Sequence, residues 1–205
     1  MARSKAFNET EVLEKARDLF WKRGFAATSI GELEKQLGIS RSSLYQTYGG
    51  KRELYDKTLA AYQHQNLTHL RKALLKTDDL HQSLIDLFTH AAMQQHPDCN
   101  SKARGCYVVN ATTEMANSCA DALNFVSTNR EKFVEILADS LARAQVQGKL
   151  EKDAPTQDLA DYLFVCYNGL QVVVQTSIDR EALQRAVVVA VSALPWLGED
   201  HQVRP

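Results

Sequence analysis

The sequence predicts an all-α protein in which a small N-terminal bundle of short helices precedes a larger domain of longer helices. Two observations support this prediction. Apolar residues recur at intervals of three and four along most of the chain, and Gly or Pro marks the breaks between these periodic segments. The run Val187 to Val191 has the composition of a strand, but a lone strand would have no partner. A helix is therefore predicted there as well.

Three short helices are predicted in the first quarter of the chain. The first spans about residues 11–22. The second begins after a cap at Thr28 or Ser29 and stops at Gly38, and Ser40 caps the third.

Longer helices follow, and the first of them begins at Lys51. They are predicted over residues 51–76, 80–95, 106–116, 121–147, 156–178 and 180–197. Because the first is long enough to connect two domains, we place an N-terminal domain at residues 6–66 and a C-terminal domain at residues 67–198.

Composition and charge are those of an ordinary globular protein. Apolar residues make up 44% and charged residues 24% of the chain, which excludes disordered and collagen-like classes. Residues 1–62 carry 11 basic and 8 acidic residues, a net +3, whereas residues 63–205 carry 13 and 17, a net −4. Such a mild asymmetry is weak evidence for a nucleic-acid partner, so the motifs must decide.

The predicted compartment is the cytoplasm, with no membrane partner. The polar start of the chain has no signal-peptide pattern, and every apolar run falls short of the roughly 18 residues that a membrane helix needs. The cysteines lack CxxC spacing, and we expect them to stay reduced: Cys99, Cys106, Cys119 and Cys166.

Residues 29–48 have the organisation of a helix-turn-helix. Gly38 supplies the tight turn, Ile39 can fill the angle between the two helices, and Ser40 begins a second helix whose first N–H groups would suit a phosphate. The second helix carries side chains of the kinds that read base edges, namely Arg41, Ser42, Ser43 and Gln46. Periodicity alone also allows a solvated amphipathic helix here.

Three strings of residues resemble the N-terminal signature of the tetracycline-repressor (TetR) family. They are GFAATSI at 24–30, LGISRSSLYQTY at 37–48 and KREL at 51–54, and the resemblance covers about residues 8–60. It implies a recognition helix over Arg41–Tyr48 in which Arg41, Ser42 and Ser43 contact bases. The flanking Thr28, Tyr45, Tyr48 and Lys51 would contact the DNA backbone or support the helix.

The sequence departs from this family at one place in the recognition helix. Members often have an aromatic-His-Phe run after the Leu-Tyr pair, whereas this chain has Gln46-Thr47-Tyr48. Thr47 would replace the expected histidine contact to phosphate only weakly.

The resemblance also implies the function and the partners. We expect a homodimeric transcription regulator, a repressor released from a palindromic double-stranded DNA operator when a small-molecule inducer binds its C-terminal domain. No cofactor and no metal are expected. The dimer contact is expected on the apolar helix over residues 156–178, through Tyr162, Val165, Gly169, Val172 and Val173.

A polar face on the helix over 106–116 is the candidate effector site. Its members are Cys106, Asn110, Thr113 and Glu114, which could orient a small molecule or could equally satisfy one another. Cys106 also lies at a helix N-terminus beside Arg104, which favours a reactive thiolate and gives redox or electrophile sensing as an alternative function. The competing interpretation is a buried, inert cysteine.

Other classes of protein are less well supported by the sequence. A metal set of His90, His96, Cys99 and Cys106 fits no standard zinc spacing. An enzyme that used Cys106 with His90 or His96 would lack any accompanying catalytic motif, so no enzyme is predicted. A helical protein-interaction module without DNA binding remains an alternative, but it does not require the polar face of the third helix.

Overall fold

The computed structural model describes residues 7–75, 78–93, 104–115, 120–176 and 179–198, with side chains in the seventh helix described from residue 124 onwards. Within these residues the protein has nine helices and no strand, which confirms the all-α prediction. The helices are α1 Glu9–Arg23, α2 Ile30–Leu37, α3 Arg41–Tyr48, α4 Lys51–Leu75, α5 Leu80–Ala92, α6 Tyr107–Met115, α7 Ala120–Val146, α8 Thr156–Val173 and α9 Arg180–Ser192. In the part of the chain so described, no helix is long and apolar enough to cross a membrane.

The ends of the short helices follow from local sequence signals. The Asn8 side chain accepts hydrogen bonds from the N–H groups of Thr10 and Glu11 at the start of α1. Of the two caps proposed for α2, Ser29 is the one used. Gly38 then ends α2 with a left-handed φ of 68°, which a residue with a Cβ rarely adopts.

The last helix is shorter than predicted, because α9 ends at Ser192 and not near residue 197. Pro195 has no backbone N–H and cannot continue a helix, so the chain turns there. After the turn, the Trp196 indole is buried and donates its N–H to the Val191 carbonyl, 2.8 Å away. Leu197 N–H bonds to the Lys149 carbonyl at 2.9 Å, which fastens this end of the chain beside α7.

The buried apolar residues form two hydrophobic cores, one in each half of the molecule. The core of the C-terminal domain is formed by the second half of α4 together with α5, α7, α8 and α9. The core of the N-terminal domain contains α1, α2, α3 and the first half of α4, but it also contains Tyr107, Ala111 and Met115 of α6. A helix from the second half of the sequence therefore completes the core of the N-terminal domain.

Tyr107 lies at the centre of this contact. Its ring packs edge-on against Tyr55 and Tyr62 of α4, with centroid distances of 5.9 Å and 5.7 Å. Its hydroxyl is 2.9 Å from the hydroxyl of Thr58, which itself donates to the Tyr55 carbonyl at 2.7 Å. Since the Thr58 hydrogen is already used, the Tyr107 hydroxyl is the donor between the two side chains.

This geometry predicts unequal effects for two substitutions. Thr58→Val leaves the buried Tyr107 hydroxyl without an acceptor and should lower the free energy of unfolding by about 1–3 kcal/mol. Tyr107→Phe removes the donor, leaves Thr58 bonded to Tyr55, and should cost no more than about 1 kcal/mol. Urea unfolding at equal protein concentration measures both. A larger loss for Tyr107→Phe than for Thr58→Val would contradict this assignment of donor and acceptor.

Candidate nucleic-acid interface

The third helix has one buried and one exposed face. Leu44 and Tyr48 are buried against the N-terminal core, as the sequence predicts. The opposite face presents polar side chains to solvent: Ser40, Arg41, Ser42 and Gln46 are exposed, and Ser43 and Thr47 are half-buried beside them. Every base-reading side chain predicted on α3 therefore lies on, or at the edge of, one accessible surface.

Tyr45 widens this surface and contacts its neighbour on α3. It is 44% exposed, and the guanidinium carbon of Arg41 lies 5.8 Å from the centre of its ring. Stacking of this kind limits the positions of Arg41 before any partner arrives.

The start of α3 differs from the prediction of N–H groups open to a phosphate. The Arg41 N–H donates to a carboxylate oxygen of Glu34 at 2.6 Å, and the Ser43 N–H donates to the Ser40 hydroxyl at 3.2 Å. These two amides already have protein acceptors, because Glu34 of α2 is placed across the turn from them. The sequence prediction for this helix end is wrong in that respect.

The other residues predicted to contact the DNA backbone or to support the helix are engaged within the N-terminal domain. Thr28 is fully buried and donates its hydroxyl to the Gly24 carbonyl at 2.7 Å. Tyr48 is only 4% exposed, and burial raises the pKa of its hydroxyl. The Lys51 ammonium lies 4.3 Å from the centre of the Phe25 ring. Of the two roles predicted for Thr28 and Tyr48, support of the helix is the one that their burial favours.

A capping box fixes the start of α2 next to this surface. The Ser29 N–H and hydroxyl both donate to Glu32 at 2.9 Å, while the Ser29 hydroxyl accepts from the Glu32 N–H. These bonds from Ser29, aided by Arg23 at 2.6 Å, hold the pKa of Glu32 below its usual range. The Ser-x-x-Glu spacing could have predicted the role of Glu32 from sequence.

Glu114 links α6 to the loop between α1 and α2 in the N-terminal domain. One carboxylate oxygen accepts from the Phe25 N–H at 2.9 Å and the other accepts from the Ala26 N–H at 2.8 Å. Gly24 permits this approach, since a Cβ at that position would lie 3.0 Å from both oxygens and its φ is 82°. The oxygens of Glu114, predicted to orient a small molecule, bind the loop between α1 and α2 in this structure.

The other members of the predicted effector face also have protein partners. Asn110 donates to the Arg104 carbonyl at 2.9 Å and accepts from the Gln175 amide at 3.1 Å. Thr113 is exposed and donates to the Asn110 carbonyl at 2.9 Å. The structure therefore favours the alternative that these polar groups are satisfied within the protein.

Cys106 lies in a different environment from the predicted one. It is buried just before α6, and burial raises the pKa of its thiol, although nearby backbone N–H groups and the Tyr62 hydroxyl act in the opposite direction. The Tyr62 hydroxyl is 3.8 Å from its sulfur. The burial of Cys106 therefore favours the competing interpretation of a buried, inert cysteine. His96 and Cys99 of the metal set lie outside the described residues.

The outer face of α8 is apolar and open to solvent in the single chain. Val165 is 68% exposed and Val172 is 47% exposed, with Tyr162 and Gly169 on the same face and Val173 at its edge. The neighbouring helix α9 adds Val188 and Val189, which are also exposed. The residues predicted for the dimer contact thus lie along one face of α8, and we call this face together with the two exposed valines of α9 the α8–α9 stripe.

Comparisons with known proteins agree with this architecture. The family profile described as "Bacterial regulatory proteins, tetR family" matches residues 12–58. An uncharacterized HTH-type transcriptional regulator of Bacillus subtilis, YezE, is 28% identical over 196 residues, which is 95% of this chain and 100% of the relative. A solved structure of a cysteine mutant of the TetR family transcriptional regulator CifR, complexed with 26-bp operator DNA, has a TM-score of 0.82 and 27% identity, covering 95% of this chain and 100% of that one.

The N-terminal part of the chain, residues 12–58, is of the TetR type. Its TetR-type helix-turn-helix is the surface built by α2 and α3, and the chain is a transcription regulator of that type. The HTH-type transcriptional repressor ComR of Escherichia coli is also similar, with 23% identity over 95% of this chain and 92% of the relative. These relatives are regulators and not enzymes.

The bond from Glu114 to the TetR-type domain can be tested through the two amides that it binds. In Glu114→Gln one oxygen becomes an NH₂ group, which cannot accept, so hydrogen exchange at Phe25 and Ala26 should quicken by roughly tenfold. Glu131→Gln, at an exposed position of α7, is the matched control and should change neither rate. Site-resolved NMR measures both, and unchanged exchange in Glu114→Gln would show that the contact is absent in solution.

Proposed function

We propose that this TetR-type regulator binds a palindromic DNA operator as a homodimer and represses transcription until a small molecule binds its C-terminal domain. The observation that carries the proposal is the polar face of α3, which is exposed while Leu44 and Tyr48 on its other face are buried. An eight-residue helix held in this way can enter a major groove without unpacking its own domain.

The side chains on that face suit sequence recognition. Arg41 can form a bidentate pair with guanine, Gln46 can form one with adenine, and Ser42 accepts either partner. The similarity to CifR supports this proposal, because that protein was captured on operator DNA and matches this chain over almost its whole length. Repression is also the activity given for ComR.

The α8–α9 stripe supports the homodimer. Two copies joined through this apolar surface would bury Val165 and Val172 from each chain and remove them from water. A two-fold axis through the stripe would present two copies of α3 to successive major grooves, about 34 Å apart on B-form DNA. The operator is therefore expected to be palindromic.

Release by an inducer would use the contacts between α6 and the N-terminal domain. Tyr107 packs in that domain and Glu114 binds its first loop, so a shift of α6 would move the helix-turn-helix with it. In a dimer whose two recognition helices do not match the spacing of the major grooves, DNA binding is lost. A small molecule that binds this conformation more tightly would increase its population and so release the protein from DNA.

Selection of bound DNA from a random oligonucleotide pool tests the proposal. We expect a palindromic site whose affinity falls as salt rises. Arg41→Ala should weaken binding to that site by about 1–3 kcal/mol, whereas Arg71→Ala, at an exposed position of α4, should leave the selected sequence unchanged. Enrichment of no sequence, or an undiminished affinity of Arg41→Ala, would favour an interaction module without DNA recognition.

A second prediction concerns the oligomeric state. Val165→Asp places a charge in the α8–α9 stripe and should weaken the dimer by about 3 kcal/mol or more, because an unpaired carboxylate would be buried at the contact. Val146→Asp is the control, since Val146 lies at the end of α7 and is 89% exposed. Analytical ultracentrifugation should find monomers for the first variant and dimers for the second. A dimeric Val165→Asp would place the contact elsewhere.

A further inference from the structure

A cavity of about 390 Å³ lies where α1 of the N-terminal domain faces α4, α5, α7 and α8. This volume is within the range of sites that hold small organic molecules. Trp21 of α1 and Tyr62 of α4 form one side of the cavity, with ring centroids 5.2 Å apart. Phe133 of α7 and Tyr167 of α8 form another, with centroids 5.1 Å apart. Its walls therefore come from both hydrophobic cores.

The polar ends of these aromatic residues are already engaged by the protein. The Trp21 N–H donates to the Arg104 carbonyl at 3.3 Å, and the Tyr62 hydroxyl donates towards the Cys106 sulfur at 3.8 Å. Trp21 and Tyr62 therefore offer mainly ring surface to the cavity, which suits a flat apolar body.

The remaining polar wall is basic or neutral. Arg17, His69 and His90 line the cavity together with the amides of Gln65 and Asn66, and none of the described residues that line it is acidic. The Arg17 Nε and one of its terminal nitrogens bond to Asp18 at 3.1 Å and 3.0 Å. A guanidinium has five N–H groups, so donors remain for a second acceptor.

We infer that this cavity takes a small aromatic anion, of the aromatic carboxylate class, with its ring on the Trp21 side and its charge towards Arg17. The inference rests on the proposed function, for which it supplies the chemical class of the inducer. Because Arg17 and Trp21 belong to α1 while Phe133 and Tyr167 belong to the C-terminal domain, the bound molecule touches both domains at once. It thereby fixes their relative position directly.

Calorimetric titration with benzoate, salicylate and 2-naphthoate, each compared with its carboxamide, tests the class of ligand. At least one carboxylate should bind about tenfold or more tightly than its neutral amide, because only the anion forms a charge-assisted bond with Arg17. Arg17→Gln should remove that preference, and Arg185→Gln, at an exposed position of α9, should keep it. Equal binding of acid and amide, or no binding by any carboxylate below about 1 mM, would overturn the inference.

A cavity-filling variant locates the site. Leu87→Trp places a large side chain in the cavity and should abolish binding of acid and amide alike, while circular dichroism confirms that the variant is folded. Binding that survives in a folded Leu87→Trp would place the ligand elsewhere and overturn the assignment of the cavity.

The DNA selection described above, performed on the same preparations, separates the two proposals. Selection of a palindrome without any carboxylate preference would refute the inference and leave the proposed function intact. A carboxylate preference without DNA recognition would refute the proposed function and leave the ligand assignment intact. If both hold, the carboxylate should weaken operator binding by the wild-type protein and have no effect on binding by Leu87→Trp.

Discussion

The packing of α6 into the N-terminal core is the constraint on which the rest of the structure depends. Tyr107, Ala111 and Met115 fill a space between α1 and α4, and the two oxygens of Glu114 bind the loop that leads into α2. Without α6 the small domain would expose apolar surface and lose acceptors for two amides. The helix-turn-helix is thus oriented by a segment that belongs, in chain order, to the other domain.

The recognition surface owes its shape to tertiary packing more than to helix propensity. A helix of eight residues would be marginal alone in water, where about 12 residues or more are needed even for favourable sequences. Leu44, Leu33 and Phe20 are fully buried or nearly so, and they anchor α2 and α3 on α1. Because a few apolar residues are enough to pack α3 against this core, the opposite face of the helix can carry polar residues.

Sequence alone predicted the local features well and the distant ones poorly. Ser29, Gly38 and Ser40 act within a few residues of themselves, so the caps and turns of the short helices could be predicted. Glu114 binds amides 88 and 89 positions away, and no local pattern shows such a partner. For Cys106, its position at a helix start predicts a lowered thiol pKa, whereas burial, which depends on distant residues, raises it. The end of α9 could have been predicted more accurately, because Pro195 is itself a local signal that a helix stops.

The placement of the two tryptophans has a consequence for optical work on this protein. The chain has only Trp21 and Trp196, and each packs with a different hydrophobic core. Trp196 is buried beside α9, whereas Trp21 packs against Tyr62 and Tyr107 at the boundary between the domains. The intrinsic emission spectrum therefore has one reporter for each half of the molecule. Replacing either indole by phenylalanine would isolate the other, so that melting of the two halves could be followed separately without an added dye.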